Sequence, residues 1–144
     1  MNVADTSLRP AQILIVDDAR DNRELLEVML NWEGFVTQSA ASAEEALAVI
    51  AQEPPDLVLL DLALPGMSGV DLTLRLKAGV TTKQIPIIII SGRGDDATRK
   101  RASAAGATDF ILKPIGRADL SERVREALLF AKASSASTQL RPSA

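Results

Sequence analysis

The stretch "ILIVDDAR", residues 13–20, runs four apolar residues straight into two adjacent aspartates. An unbroken apolar run of this length reads as a strand buried on both faces, the mark of a parallel sheet rather than of a half-solvated antiparallel one. Asp17 and Asp18 then stand at the tip, where the strand leaves the sheet. Adjacent carboxylates repel, and each resists ionising beside the other unless water or a cation intervenes.

The rest of the chain repeats the pattern. Apolar runs recur as "FVTQS" (35–39), "LVLL" (57–60), "PIIII" (86–90) and "FIL" (110–112). Segments of helical period lie between and after them, at about 20–33, 43–52, 69–78, 95–105 and 117–132. Strands alternating with helices predict an α/β domain, a doubly wound parallel (βα)5 sheet in three layers. Leu25, Leu26, Met29, Leu30 and Trp32 give the first helix an apolar stripe that Gly34 ends. Ser42 and Glu45 have capping-box spacing, and Pro54 and Pro55 close the second helix. Leu120, Val124, Leu128 and Leu129 are expected to pack the last helix on the sheet. Residues 1–10 read as an N-terminal extension, 11–132 as the folded domain, and 133–144, small and polar, as a flexible tail or linker stub.

Composition narrows the function. With 144 residues, 47% of them hydrophobic, the chain suits one domain with a real core. A net charge of −3 argues against a surface that tracks nucleic-acid phosphates. The chain has no cysteine and no histidine, so disulfides, thiolate zinc sites and histidine-based triads are excluded. No signal peptide or membrane-span pattern is visible, and a cytoplasmic location is expected.

In open α/β sheets ligands bind beyond the carboxyl ends of the strands, where strand order reverses. One residue past the runs stand Asp17 and Asp18, Asp61, Ser91 and Lys113, whereas the second strand ends at Ala40 and Ala41. In the strand order 2-1-3-4-5 that bare strand is an edge, and three carboxylates converge at the switch point. Singly, each residue has a bland reading: the aspartates as helix caps, Ser91 as a loop residue, Lys113 as a solvated charge. Their coincidence at four tips outweighs those readings. The chemistry that wants this set is phosphoryl transfer to a carboxylate. Mg²⁺ or Mn²⁺ held by Asp17, Asp18 and Asp61 would relieve the repulsion, Asp61 would act as nucleophile, and Ser91 and Lys113 would meet phosphoryl oxygens.

Four motifs, "IVDDARDNRELL" (15–26), "DLVLLDLALPGMSG" (56–69), "PIIIISG" (86–92) and "AGATDFILKP" (105–114), resemble the receiver domain of two-component response regulators over residues 11–132. The resemblance implies the flavodoxin-like, chemotaxis-regulator-like fold. It implies Asp61 as the phosphorylated residue, Asp17 and Asp18 as metal ligands, and the Ala63 backbone carbonyl as a further ligand. It implies that Ser91 and Lys113 sense the phosphoryl group, that Phe110 changes rotamer on activation, and that the Lys113-Pro114 peptide bond is cis. A sensor histidine kinase or histidine phosphotransfer protein would be the donor. The face of the fourth helix, fifth strand and fifth helix would serve a downstream protein or a homodimer.

The resemblance further implies that Ala63 and Arg93 stand where relatives tune phosphoryl hydrolysis; small Ala63 is expected to leave a water path open and Arg93 to cover it. "TRKR" (98–101) reads as a solvated basic face, with an acidic partner as the alternative. An aspartate-nucleophile phosphatase of the haloacid dehalogenase type would need an acid at position 63, which is alanine. A flavin or nucleotide binder would need a phosphate loop where "DDARD" stands. The remaining alternative is a receiver-like interaction module that signals without phosphorylation. The chain is expected to be a single-domain regulator or the receiver of a longer protein.

Overall fold

A computed structural model describes the backbone of residues 9–140 and the side chains through Ala133. The parts of the expected extension and tail at 1–8 and 141–144 lie outside the described residues. The elements are β1 (Gln12–Val16), α1 (Arg20–Trp32), β2 (Val36–Ala40), α2 (Ala43–Gln52), β3 (Leu57–Asp61), α3 (Gly69–Ala78), β4 (Ile87–Ser91), α4 (Asp96–Ala105), β5 (Asp109–Leu112) and α5 (Arg117–Leu140). The five strands are parallel, in the order β2-β1-β3-β4-β5. This is the flavodoxin-like order that the resemblance implies, with the bare-tipped β2 at one edge.

Period-two alternation in strands buried on both sides builds two cores. Leu14, Val16, Val58, Leu60, Ile87 and Ile89 face α2, α3 and α4. Ile13, Ile15, Leu57, Leu59, Ile88 and Ile90 face α1 and α5. Each side chain so buried contributes about 1.5–3 kcal/mol over its exposed state, which holds the strand tips rigid for the site above them.

Helix ends follow local chemistry. Ser42 Oγ accepts the Glu45 N–H at 3.1 Å, while Glu45 reaches back to the Ala41 N–H at 2.7 Å, one residue earlier than in the simple capping box. Ser68 caps α3 in the same way through the Asp71 N–H at 3.1 Å. Gly106 ends α4 at φ 108°, a left-handed conformation that glycine adopts without strain. Phe35 N–H donates to Leu30 O, finishing α1, so β2 begins one residue later than its apolar run.

Three expectations are corrected. In α1 only Leu26, Met29 and Leu30 are buried, because spacing of three and four residues puts them on one face. Leu25 and Trp32 point outward at 59% and 74% exposure. In α5 Leu120, Val124 and Ala127 are buried, whereas Leu129 is 68% exposed, turned away from the seam. And α5 continues to Leu140 rather than ending at Lys132. No glycine or proline interrupts residues 117–140, and alanines recur there, so the small polar composition does not break the helix.

Candidate functional site

Strand register assembles the tips. Val16 pairs with Leu60, so Asp17 and Asp61 leave the sheet side by side. Asp61 pairs with Ile90 and Ser91 with Leu112, which sets Ser91 and then Lys113 at the same end of the sheet. Asp17 and Asp61 are 2% and 8% exposed, and Asp18 faces solvent. One carboxylate oxygen from each of Asp17, Asp18 and Asp61 lies within 4.8 Å of the others.

Neighbouring donors hold these carboxylates in place. Asp17 Oδ1 accepts the Ala19 N–H at 2.8 Å, and its Oδ2 faces Asn22 Nδ2 at 3.3 Å. Arg23 donates to the Asp17 carbonyl at 2.9 Å. Asp61 Oδ1 accepts the Ala63 N–H at 3.0 Å, and its Oδ2 accepts from Lys113 Nζ at 3.1 Å. Lys113 also lies 3.9 Å from Asp17 Oδ2. Burial pushes the Asp17 carboxyl above its ordinary value; the Ala19 N–H opposes this, Asp61's charge adds to it, and Lys113 and Asn22 oppose it more weakly. The helix-cap reading of Asp17 and Asp18 fails, since α1 opens at Ala19 with no side-chain cap.

Ser91 ends β4 with its Oγ accepting the Arg93 N–H at 3.0 Å. The Lys113-Pro114 peptide bond is cis. Phe110 is half-buried in β5, and Ala63 is exposed. Arg93, 79% exposed, pairs with Asp95 at 3.4 Å. Of the run at 98–101, Thr98 is buried and bonded to Asp95 Oδ1 at 2.8 Å, leaving Arg99, Lys100 and Arg101 as the exposed basic group.

Three supporting residues escape a reading by strand tips. Asn22 and Arg23 sit one turn into α1, and only the turn between β1 and α1 folds them back on Asp17. Gly69 packs so tightly under β3 that a Cβ there would lie 2.7 Å from the Asp61 carbonyl oxygen and 2.8 Å from Leu62 Cα. Glycine closing "GMSG" is the signal, legible only once β3 and α3 are seen to touch.

Hard oxygen donors at this spacing fit a small divalent cation: the three carboxylates concentrate negative charge that one lysine, a third exposed, only partly offsets. A parallel sheet with carboxylates, a lysine and a hydroxyl at the carboxyl ends of its strands is of the chemotaxis-regulator-like class of α/β domains. Within that class the chain belongs to the response regulator receiver domain family, whose model matches residues 13–125.

Similar proteins agree. The phosphate regulon transcriptional regulatory protein PhoB of Pseudomonas aeruginosa is 40% identical over 116 residues, 81% of this chain and 51% of the relative. The response regulator PleD of Caulobacter vibrioides is 41% identical over 123 residues, 83% of this chain and 26% of the relative. The chain thus spans about half, or less, of the length of these curated relatives. Among solved structures, a putative response regulator from Chloroflexus aurantiacus superposes with a TM-score of 0.81 at 36% identity, covering 84% of this chain and 99% of that one. NtrX from Brucella abortus gives 0.86 at 36% identity over 94% of this chain and 31% of its own. Receiver domains of response regulators act as phosphoacceptor switches on an aspartate, between histidine kinases and downstream effectors. Among the described residues no helix is long and apolar enough to cross a membrane.

Proposed function

We propose that Asp61 is the phosphoacceptor of a two-component relay, taking its phosphoryl group from a phosphohistidine on a sensor kinase or a histidine phosphotransfer protein. The observation that carries this reading is the Lys113 ammonium 3.1 Å from Asp61 Oδ2, on a carboxylate that also shares its surroundings with Asp17 and Asp18. A structural aspartate needs one partner; this one sits among two more acids and a cation at the switch point.

In the transfer, an Asp61 carboxylate oxygen forms a bond to phosphorus as the phosphorus–nitrogen bond of the donor histidine breaks, and the imidazole leaves as its neutral, protonated-nitrogen form after taking up one proton from water. The carboxylates of Asp17, Asp18 and Asp61, with the Ala63 carbonyl, would hold Mg²⁺ or Mn²⁺, which would supply the positive charge that phosphoryl oxygens require. Lys113 adds a second positive charge and follows the new phosphoryl oxygens. The Ala63 N–H, already on Asp61 Oδ1 at 3.0 Å, orients the carboxylate for attack. Ser91 keeps its hydroxyl proton free to donate to a phosphoryl oxygen while its oxygen accepts from Arg93 N–H. Phe110 then shifts rotamer, and the face of α4, β5 and α5 changes its affinity for a downstream protein or a second copy. The chain catalyses only its own phosphorylation and dephosphorylation.

The test is intact mass after incubation with Mg²⁺ and acetyl phosphate. Gain of one phosphoryl mass, lost with EDTA or in Asp61→Asn, supports the reading. Absence of the adduct together with failure to bind beryllofluoride overturns it in favour of a phosphorylation-independent interaction module.

A further inference from the structure

The Arg99 guanidinium lies over the Phe110 ring, 4.6 Å from its centroid. Its Nε donates to the Gly94 carbonyl at 3.1 Å. Gly94 is itself confined: a Cβ there would lie 3.1 Å from Leu112 Cδ1 and 3.5 Å from Arg99 Nη2. One side chain of α4 therefore joins the loop that follows Ser91 to the aromatic of β5, with Leu112 closing the third side. No carboxylate pairs with Arg99 among the described residues, so its charge is directed at the ring face and one carbonyl.

We propose that Arg99 is a positioning residue that clamps Phe110 in the unphosphorylated conformation and releases it when the loop after β4 moves. The inference rests on the phosphoacceptor reading and deepens it by naming the contact that sets the switch. A guanidinium over a ring face is attracted by the ring quadrupole, and that attraction holds only while the ring stays beneath it. Movement of Ser91 toward a phosphoryl group carries Gly92 to Gly94 with it. The Gly94 carbonyl then leaves Arg99 Nε, the guanidinium loses its anchor, and the ring is free to turn inward. Coupling of this kind is reciprocal: what loosens the clamp must favour occupancy of the phosphoryl site. Lys at position 99 would keep the charge but lose the planar stack and the Nε–H donor.

The experiment combines ring NMR with beryllofluoride titration in Mg²⁺, on wild type, Arg99→Gln and Arg99→Lys. The chain has three phenylalanines, and Phe35, under Arg125 at 5.4 Å, serves as an internal control. In Arg99→Gln the Phe110 ring resonances should move while those of Phe35 stay. Beryllofluoride should bind about two- to fivefold more tightly, the equivalent of an exposed cation–π contact, with Arg99→Lys intermediate. A purely structural role would lower the melting temperature and leave that affinity alone. Unmoved Phe110 resonances, or moved resonances with equal or weaker binding, would overturn the clamp. If wild type itself fails to bind beryllofluoride, the phosphoacceptor reading falls, and the ring resonances alone decide whether Arg99 holds Phe110.

Discussion

Lys113 Nζ and Asp61 Oδ2 meet at 3.1 Å although 52 residues separate them in the chain. β4 lies between their strands, so the lysine reaches across Ser91 to touch the acid. In the absence of metal this ammonium is the counterion of the cluster. Replacing Lys113 with Gln should destabilise the metal-free protein by about 1 kcal/mol, the pair being partly solvated. The same change should tighten Mg²⁺ binding, because a competing cation is gone. Urea unfolding in EDTA and calorimetric titration read the two effects; an unchanged Mg²⁺ affinity would refute the competition.

Asp17 makes stability depend on pH. Its folded-state pKa is raised from 3.8, first by burial. The folded protein therefore holds this proton more tightly than the unfolded chain does. Its contribution is fully favourable below about 3.8 and is lost as pH rises through the raised value. In EDTA, Asp17→Asn should remove that decline and be the more stable protein at neutral pH, with Oδ1 still accepting from Ala19 N–H. Melting curves from about pH 3 to 8 on both proteins decide it; parallel profiles would show that Asp17 is not the titrating group.

Chelation should act through the same cluster. At Mg²⁺ about ten times its dissociation constant, the folded state gains about 1.4 kcal/mol. Adding EDTA removes that gain, and Asp61→Asn should show a smaller one. Equal metal-induced shifts in wild type and in the Asp61 variant would place the ion elsewhere.

Gly69→Ala should cost about 2 kcal/mol and slow phosphorylation, since the new methyl meets Asp61 and Leu62 backbone that cannot fold aside. Gly92 is the control, because a methyl added there would meet nothing within 4 Å: Gly92→Ala should leave stability nearly unchanged. Denaturant midpoints and acetyl phosphate labelling rates distinguish the two. A Gly69 variant that labels at the wild-type rate would mean that the contact supports β3 without orienting the acid.

How legible all this was in the sequence depends on which forces are local. Strands buried on both faces write themselves as continuous apolar runs, so "LVLL" and "PIIII" predict β3 and β4 to within a residue. The site's acids were legible for a related reason, because the residue after a buried run must be a strand tip. What was hidden depends on contacts between elements. Leu25 and Trp32 look as apolar as Leu26 and Met29, and only the seating of α1 separates the outward pair from the inward one. The tail's serines and alanines suit either a coil or a helix, and α5 continues through them to Leu140. Asn22 on Asp17 requires a turn, and Arg99 on Phe110 a helix seated against a strand, that no periodicity records.

The strand order carries one more consequence, for synthesis. Asp17 and Asp61 leave the ribosome before Lys113, whose strand is the last of the five in the chain and lies at the sheet edge. Until β5 is made, the nascent chain carries the acids with neutral donors such as the Ala19 and Ala63 N–H groups but without the lysine's countercharge. A divalent cation should therefore offset the acids' repulsion more in the partly synthesised chain than in the finished one, where Lys113 already shares that task.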